Sequence, residues 1–474
     1  MKAGTVSLRA FFIFLSFSFL ACDAPDTNKR KADRMDEFLA GQMKYYRFNG
    51  NVLVAENGKI IFQKSYGVAD FNTERPLNDS SVFELASVSK QFTATAILLL
   101  VDKGILKLTD TLRQFFPELP YPNITLWHML THTSGLPDYF EPMLEKWDKT
   151  KIAFNSDMIA FLAKEKLPVE FAPGTQWAYS NTAYALLASI VEKVSGQSYK
   201  DYMAENIFTP LGMRHTRIWN TRRSLRDTIP NYAFGYVYND SLKKYILPDN
   251  DPNVNFVIFM DGIQGDGIVN STAVDLLIWD RAIKNSTLLK PATQAEMVKG
   301  QSLMDTLKGS YYGFGVMLDS SDMGELLSHS GGWPGYTTWL ARNIKKDQTV
   351  IVLSNNNAAA PSIGDALHHI MNGKPVELPF EQKEISIDSL TLEPLVGSYK
   401  GDRAFTIERK GDTLMMVMAN RPPMKLKALS PTKFFFNAAT DQQIEFVMGD
   451  SGKVSHFSII RSGVRTEYRH TKDQ

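Results

Sequence analysis

Cysteine is almost absent from this chain: there is one, Cys22, in 474 residues. No intrachain disulfide can form, and a Cys-rich zinc or iron–sulfur centre is excluded. An excess of one charge is also missing, since 52 Lys and Arg stand against 51 Asp and Glu, a formal charge of +1. A nucleic-acid binder needs a basic surplus to neutralise phosphates, so nucleic acid is not an expected partner. The apolar run from Ala10 to Leu20 is too short to span a bilayer comfortably, which takes about 20 apolar residues. Two hydrolase signatures are absent as well. There is no Gly-x-Ser-x-Gly elbow, and no Glu follows His128, although His128 and His132 stand four apart like a helical zinc pair. His132 is therefore expected to serve the scaffold. Adjacent His368 and His369 point to different faces of a helix, so no metal site is expected there either.

What is present describes an ordinary globular protein. Hydrophobic residues make up 44% and charged residues 22%, enough for a packed core. At roughly 150 residues per domain, the length predicts about three structural units, or one large domain and a smaller one. The N-terminus has Lys2 and Arg9 before the apolar run, the layout of a bacterial export segment over residues 1–22. Leu20-Ala21-Cys22 resembles a lipobox, in which the cysteine receives lipid and becomes the first mature residue. Phe19 stands where that motif usually has Leu. The expectation is a protein anchored by lipid at Cys22 to a membrane facing the periplasm or cell surface, with a soluble periplasmic protein as the alternative. Residues 23–36 are polar and read as a tether.

Beyond the tether, Gly50 to Val68 reads as a hairpin around Glu56-Asn57-Gly58-Lys59. Helices are expected over 87–103, 157–166, 182–194 and 273–284, the last opened by the capping pair Thr272 and Asp275. Two strands over 336–342 and 348–353 and a helix over 362–371 close this part. Strands first and last with helices between predict an α/β or α+β domain over residues 37–374. From Pro375 the texture changes to seven or eight short strand-like runs in about a hundred residues, predicting a small β-barrel or sandwich over 375–474.

Ser-x-x-Lys occurs three times, at Ser87, Ser241 and Ser430. A chain of this composition carries about two by chance, so context must separate them. Ser241 falls in a polar loop and Ser430 between strands. Ser87 opens an apolar helix, where Lys90 projects from the same face and the first-turn N–H groups favour negative charge developing at the serine. Tyr179-Ser180-Asn181 offers a phenol and an amide from one turn before a helix. His329-Ser330-Gly331-Gly332 lets backbone approach a ligand closely and offers an N–H. A serine, a lysine, a tyrosine and a strand-edge N–H are the parts of an acyl-enzyme mechanism, which requires no cofactor.

The order Ser-Val-Ser-Lys, Tyr-Ser-Asn, His-Ser-Gly resembles the serine β-lactamase and penicillin-binding family, in its class C branch with esterase and D-peptidase relatives. Leu126 to Gly135, Pro173-Gly174, Pro210 to Met213 and Ser271-Thr272 to Leu276 are similar too, over roughly residues 40–372. The resemblance implies an antiparallel sheet flanked by helices, with a helical lobe and the site between them. It implies Ser87 as nucleophile, Lys90 as proton acceptor, Tyr179 as proton shuttle and Asn181 as a ligand of the substrate amide. The N–H groups of Ser87 and Gly332 would form the oxyanion hole. His329 stands where β-lactamases usually have Lys, and Ile268 where relatives often have a second Gly, so that loop is expected to differ. The strand-rich tail resembles barrels appended to several relatives.

Histidine is mostly neutral near pH 7, so it anchors a substrate carboxylate less firmly than lysine. An esterase or D-amino-acid peptidase acting on small molecules or peptides is therefore favoured over a β-lactamase or a D-Ala-D-Ala carboxypeptidase. A penicillin sensor that acylates with little turnover is a further alternative, disfavoured by Tyr179. The sequence does not specify an oligomeric state.

Overall fold

The computed structural model describes residue 1 and residues 27–220, 229–306, 309–321, 323–401 and 404–469. The export segment expected before Cys22, and Cys22 itself, lie outside them, apart from the first residue. Among the described residues no helix is long and apolar enough to cross a membrane.

Helix α1 (Thr27–Tyr46) corrects the expected tether, which was read as reaching residue 36. Its polar first half continues into Met35, Phe38 and Leu39, a helical spacing that is fully buried. The hairpin β1 (Gly50–Glu56) and β2 (Lys59–Tyr66) follows as expected. Then come α2 (Lys90–Asp102), α3 (Asn155–Glu165), α4 (Asn181–Ser195) and α5 (Ala273–Asn285). Thr272 caps α5 by accepting from the Asp275 N–H. Strands β3 (Ser302–Asp305), β4 (Ser310–Tyr312), β5 (Met317–Ser321), β6 (Gly324–Trp333), β7 (Tyr336–Asn343) and β8 (Gln348–Ser354) complete the first sheet, and α6 (Ala360–Met371) follows.

The sheet order is β3-β4-β5-β6-β7-β8-β1-β2, antiparallel throughout. Both faces of its centre are covered. In β1, Leu53 and Ala55 join the core of α2, α4 and α5, whereas Val52 and Val54 join α1 and α6. Ile351 and Leu353 of β8 divide from Val350 and Val352 in the same way. Two buried faces explain why these strands read as nearly continuous apolar runs. Helix α2, buried from Lys90 to Leu100, runs through the larger core, with Phe92 against the Trp279 ring at 4.2 Å.

The tail forms a second eight-stranded sheet, an antiparallel meander closing into a nearly complete barrel. Its strands are β9 (Gly397–Lys400), β10 (Ala404–Lys410), β11 (Thr413–Val417), β12 (Met424–Ala428), β13 (Lys433–Phe435), β14 (Gln443–Met448), β15 (Val454–Arg461) and β16 (Val464–Arg469). It has its own core, yet Val376 and Val464 are buried in the α1 and α6 layer. Glu377 accepts from Lys433 Nζ and Arg465 Nη2, each at 2.7 Å.

That seam sets an expectation for a chain ending at Gly373. The sheet and both of its helical layers remain, so it should fold. Losing Val376, Leu378 and Val464 removes several kcal/mol at about 1.5–3 kcal/mol per buried aliphatic side chain. Its melting midpoint should fall by on the order of 10 °C. Calorimetry checks this, and an insoluble product would mean that the two parts fold only together.

Candidate active site

Ser87 lies in one 3-10 turn, Ala86–Ser89, that feeds α2, so the α-helix starts three residues later than the sequence suggests. Ala86 is held at φ 47°, a left-handed conformation that costs a non-glycine residue on the order of 1–3 kcal/mol. The turn is braced by β6 and β7. Thr338 Oγ1 donates to the Leu85 carbonyl at 2.7 Å, and a Cβ on Gly331 would overlap that same carbonyl. Glycine in the third motif is thus what lets its strand lie against the serine turn.

Lys90 is fully buried, and its Nζ meets three acceptors: Asp266 O at 2.6 Å, Asn181 Oδ1 at 2.9 Å and Ser87 Oγ at 3.2 Å. The first two are carbonyl oxygens, which only accept. Two amine hydrogens therefore stay on them, and the remaining position faces Ser87. It holds a hydrogen when the group is an ammonium and a lone pair when it is an amine. This arrangement can take a proton from the serine.

Ser180 caps α4 by accepting from the Ala183 N–H, which leaves Asn181 in the first turn and Tyr179 just before it. Lys90 Nζ sits 4.8 Å from the Tyr179 ring centroid. The Tyr179 hydroxyl is buried without a hydrogen-bond partner among the described residues. His132 braces this turn, its Nδ1 accepting from the Ser180 N–H at 3.0 Å and its ring 4.4 Å from that of Tyr179. That is the scaffold role expected of it.

His329 is fully buried behind Tyr179, with ring centroids 6.4 Å apart. Its Nδ1 lies 2.6 Å from Ser330 O, which only accepts, so Nδ1 carries the hydrogen and Nε2 accepts from Tyr312 Oη at 3.0 Å. Burial, then the Lys90 charge, pushes its pKa down to about 3. It is neutral and takes no part in lining the cavity beside Ser87.

That cavity measures about 520 Å3 and is bounded by Ser87, Asn181 and Gly332, with Phe140, Phe256 and Trp333 as aromatic walls. Glu84, Asp261 and Asp266 also line it, and no Lys or Arg does among the described residues. Asp266 went unnoticed in the sequence as a functional residue, although an acid between two glycines was a visible signal. Its carboxylate accepts from Tyr139 Oη at 2.9 Å, and burial raises its pKa. Ile268 stands where relatives often have a second Gly. It keeps the left-handed backbone natural to glycine, at φ 78°, while its side chain adds a wall to the cavity.

The other two Ser-x-x-Lys matches are dispersed. Ser430 Oγ accepts from the Lys433 N–H in a barrel turn, and Ser241 sits in a turn before Lys244–Ile246.

Three buried histidines set a pH dependence. Burial lowers His329 to about 3 and His368 to about 4, and holds His132 well below its usual range. The unfolded chain protonates them near 6.5 and the folded chain only at lower pH. Stability is therefore present above 6.5 and lost as pH falls toward 4, by up to about 1.4 kcal/mol per pH unit for each histidine. The melting midpoint should drop between pH 7 and pH 5, and less steeply in His368→Gln, measured by thermal denaturation across that range.

Comparison with known proteins agrees with this geometry. The family model described as Beta-lactamase matches residues 35–371. The chain is similar to penicillin-binding protein 4* of Bacillus subtilis, 39% identical over 454 residues, covering 94% of this chain and 99% of that protein. It is similar to esterase EstB of Burkholderia gladioli, 34% identical over 39% of this chain and 50% of the esterase. Among solved structures, an octameric penicillin-binding protein homologue from Pyrococcus abyssi shares the fold. Its TM-score is 0.66 at 24% identity, covering 92% of this chain and 99% of that one.

Proposed function

The chain belongs to the beta-lactamase family of serine hydrolases, and from that premise we propose that it cleaves neutral or amine-bearing esters, amides or D-amino-acid peptides through an acyl-enzyme on Ser87. The observation that carries this reading is the Lys90 amine, tied to two carbonyl oxygens with its third position on Ser87 Oγ. Ser87 Oγ attacks the substrate carbonyl carbon as Lys90 takes its proton. The tetrahedral oxyanion is met by the N–H groups of Ser87 and Gly332. Tyr179 relays a proton to the leaving group, and the same residues then activate the water that releases the acid.

The substrate class follows from charge. The described lining carries three carboxylates and no cation, which disfavours the carboxylate of a β-lactam or of a terminal D-alanine. An ammonium group beside an aromatic or aliphatic side chain suits it better, as does an uncharged ester. Buried, neutral His329 supplies no anchor for an anion. The unpartnered Tyr179 hydroxyl favours turnover over a sensor that stays acylated.

A fluorophosphonate should leave one adduct, at Ser87, and Ser87→Ala should abolish labelling and turnover. Lys90→Ala should slow acylation by about 100 to 10,000-fold, the range for losing a positioned base. Tyr179→Phe should slow both steps. A panel of p-nitrophenyl esters, D-amino-acid amides, D-Ala-D-Ala peptides and a chromogenic cephalosporin measures the preference. Labelling at Ser241 or Ser430, or full activity of Ser87→Ala, contradicts the assignment.

Export rests on Lys2, Arg9 and the apolar run from Ala10 to Leu20, and lipid attachment on the Leu20-Ala21-Cys22 phrase. Cys22→Ser should release the protein from membranes or block its processing; unchanged membrane fractionation counts against the anchor.

A further inference from the structure

The C-terminal barrel encloses a second cavity, about 460 Å3, that shares no lining residue with the one beside Ser87. An eight-stranded barrel is just wide enough for inward side chains to fill it, or to hold one small ligand. Here Ile407, Leu414, Phe434, Ile444 and Phe446 pack in a core that also takes in Phe405, Met416 and Phe457. The cavity is bordered by Gly401 after β9, Arg421 between β11 and β12, and Phe436 and Gln442 between β13 and β14.

The cavity has apolar walls: Phe405, Met416, Met424, Phe436, Phe457 and Ile459. Methionine adapts its shape to an irregular guest. The charged lining of the cavity is Arg421, from the β11–β12 turn, Arg461, from the end of β15, and one carboxylate, Asp305, from the end of β3, so the two cations outnumber the acid. Both arginines are exposed, and neither has an ion-pair partner among the described residues. Two other barrel arginines are paired, Arg409 with Glu393 and Arg465 with Glu377 and Glu445. Two unpaired guanidinium groups over an apolar cup of drug-like volume suit one chemistry.

We propose that the barrel binds a single-chain anionic amphiphile, its apolar tail in the lumen and its carboxylate or phosphate on Arg421 and Arg461. The two heads share the chemistry that the rim recognises, and free acids or phosphate monoesters could supply it.

Calorimetric titration of the full chain with decanoate, monodecyl phosphate and decyltrimethylammonium tests this. One equivalent of decanoate or of monodecyl phosphate should bind. Whichever binds more tightly identifies the head group, and the ammonium compound should bind at least tenfold more weakly. Met416→Trp fills the lumen and should abolish binding. The exposed pair Arg421→Glu with Arg461→Glu should weaken it at least tenfold with an unchanged melting midpoint, which keeps the test decisive if Met416→Trp does not fold. Equal affinity for the cationic and anionic probes overturns the proposal. So does binding that survives both sets of variants, or no binding below about 1 mM. None of these readouts uses hydrolysis, so the outcome is independent of the role given to Ser87.

Discussion

A lysine with no solvent contact is the constraint around which this molecule is arranged. Burying an amine that can carry charge is costly unless every hydrogen it offers is met. Lys90 meets that condition with one near acceptor, Ser87 one turn back, and two distant ones, Asn181 at the start of α4 and the Asp266 carbonyl. Helix α2, the helical lobe and the 265–269 loop must therefore all be in position before the lysine is satisfied. The loop is tied to the serine turn by the Leu85 N–H to Val269 O, the Val269 N–H to Ser89 Oγ, and Thr93 Oγ1 to Gly265 O. These bonds hold Ile268 in a backbone conformation that a β-branched residue otherwise avoids.

The two-faced sheet separates tasks. One face carries the lysine, the serine turn and the helical lobe; the other carries α1, α6 and the seam to the barrel. Changes at the seam thus reach the site only through the strands between them. Near the serine, polarity is confined. Histidines 132 and 329 are neutral and occupied with bracing, and the described cavity lining is aromatic with carboxylates. Lys90 stands behind the serine rather than in the cavity, where its charge meets the proton and not the substrate.

Much of this was legible along the chain because it is local. Helix periods, the hairpin turn, the Thr272 cap and the alternation of the barrel strands are set by residues within a few positions of each other, and the elements expected from them match within about three residues. The site motifs were legible for the same reason, since Ser87 and Lys90 are one turn apart and Tyr179 and Asn181 flank one cap. Helix α1 was not: its polar first turns resemble a linker, and only packing of Met35, Phe38 and Leu39 on the sheet makes them helix.

The sequence by itself therefore determined the hairpin, several of the helices, the barrel strands, the family resemblance and the chemical identity of the reacting groups. Tertiary structure alone decided what those groups do for one another. It placed the Asp266 carbonyl on Lys90 from 176 residues away and left the Tyr179 hydroxyl without a partner among the described residues. It buried His329 as a brace behind Tyr179 and left a cavity in the barrel. Each of these depends on which distant surfaces meet, and no local pattern of residues carries that information.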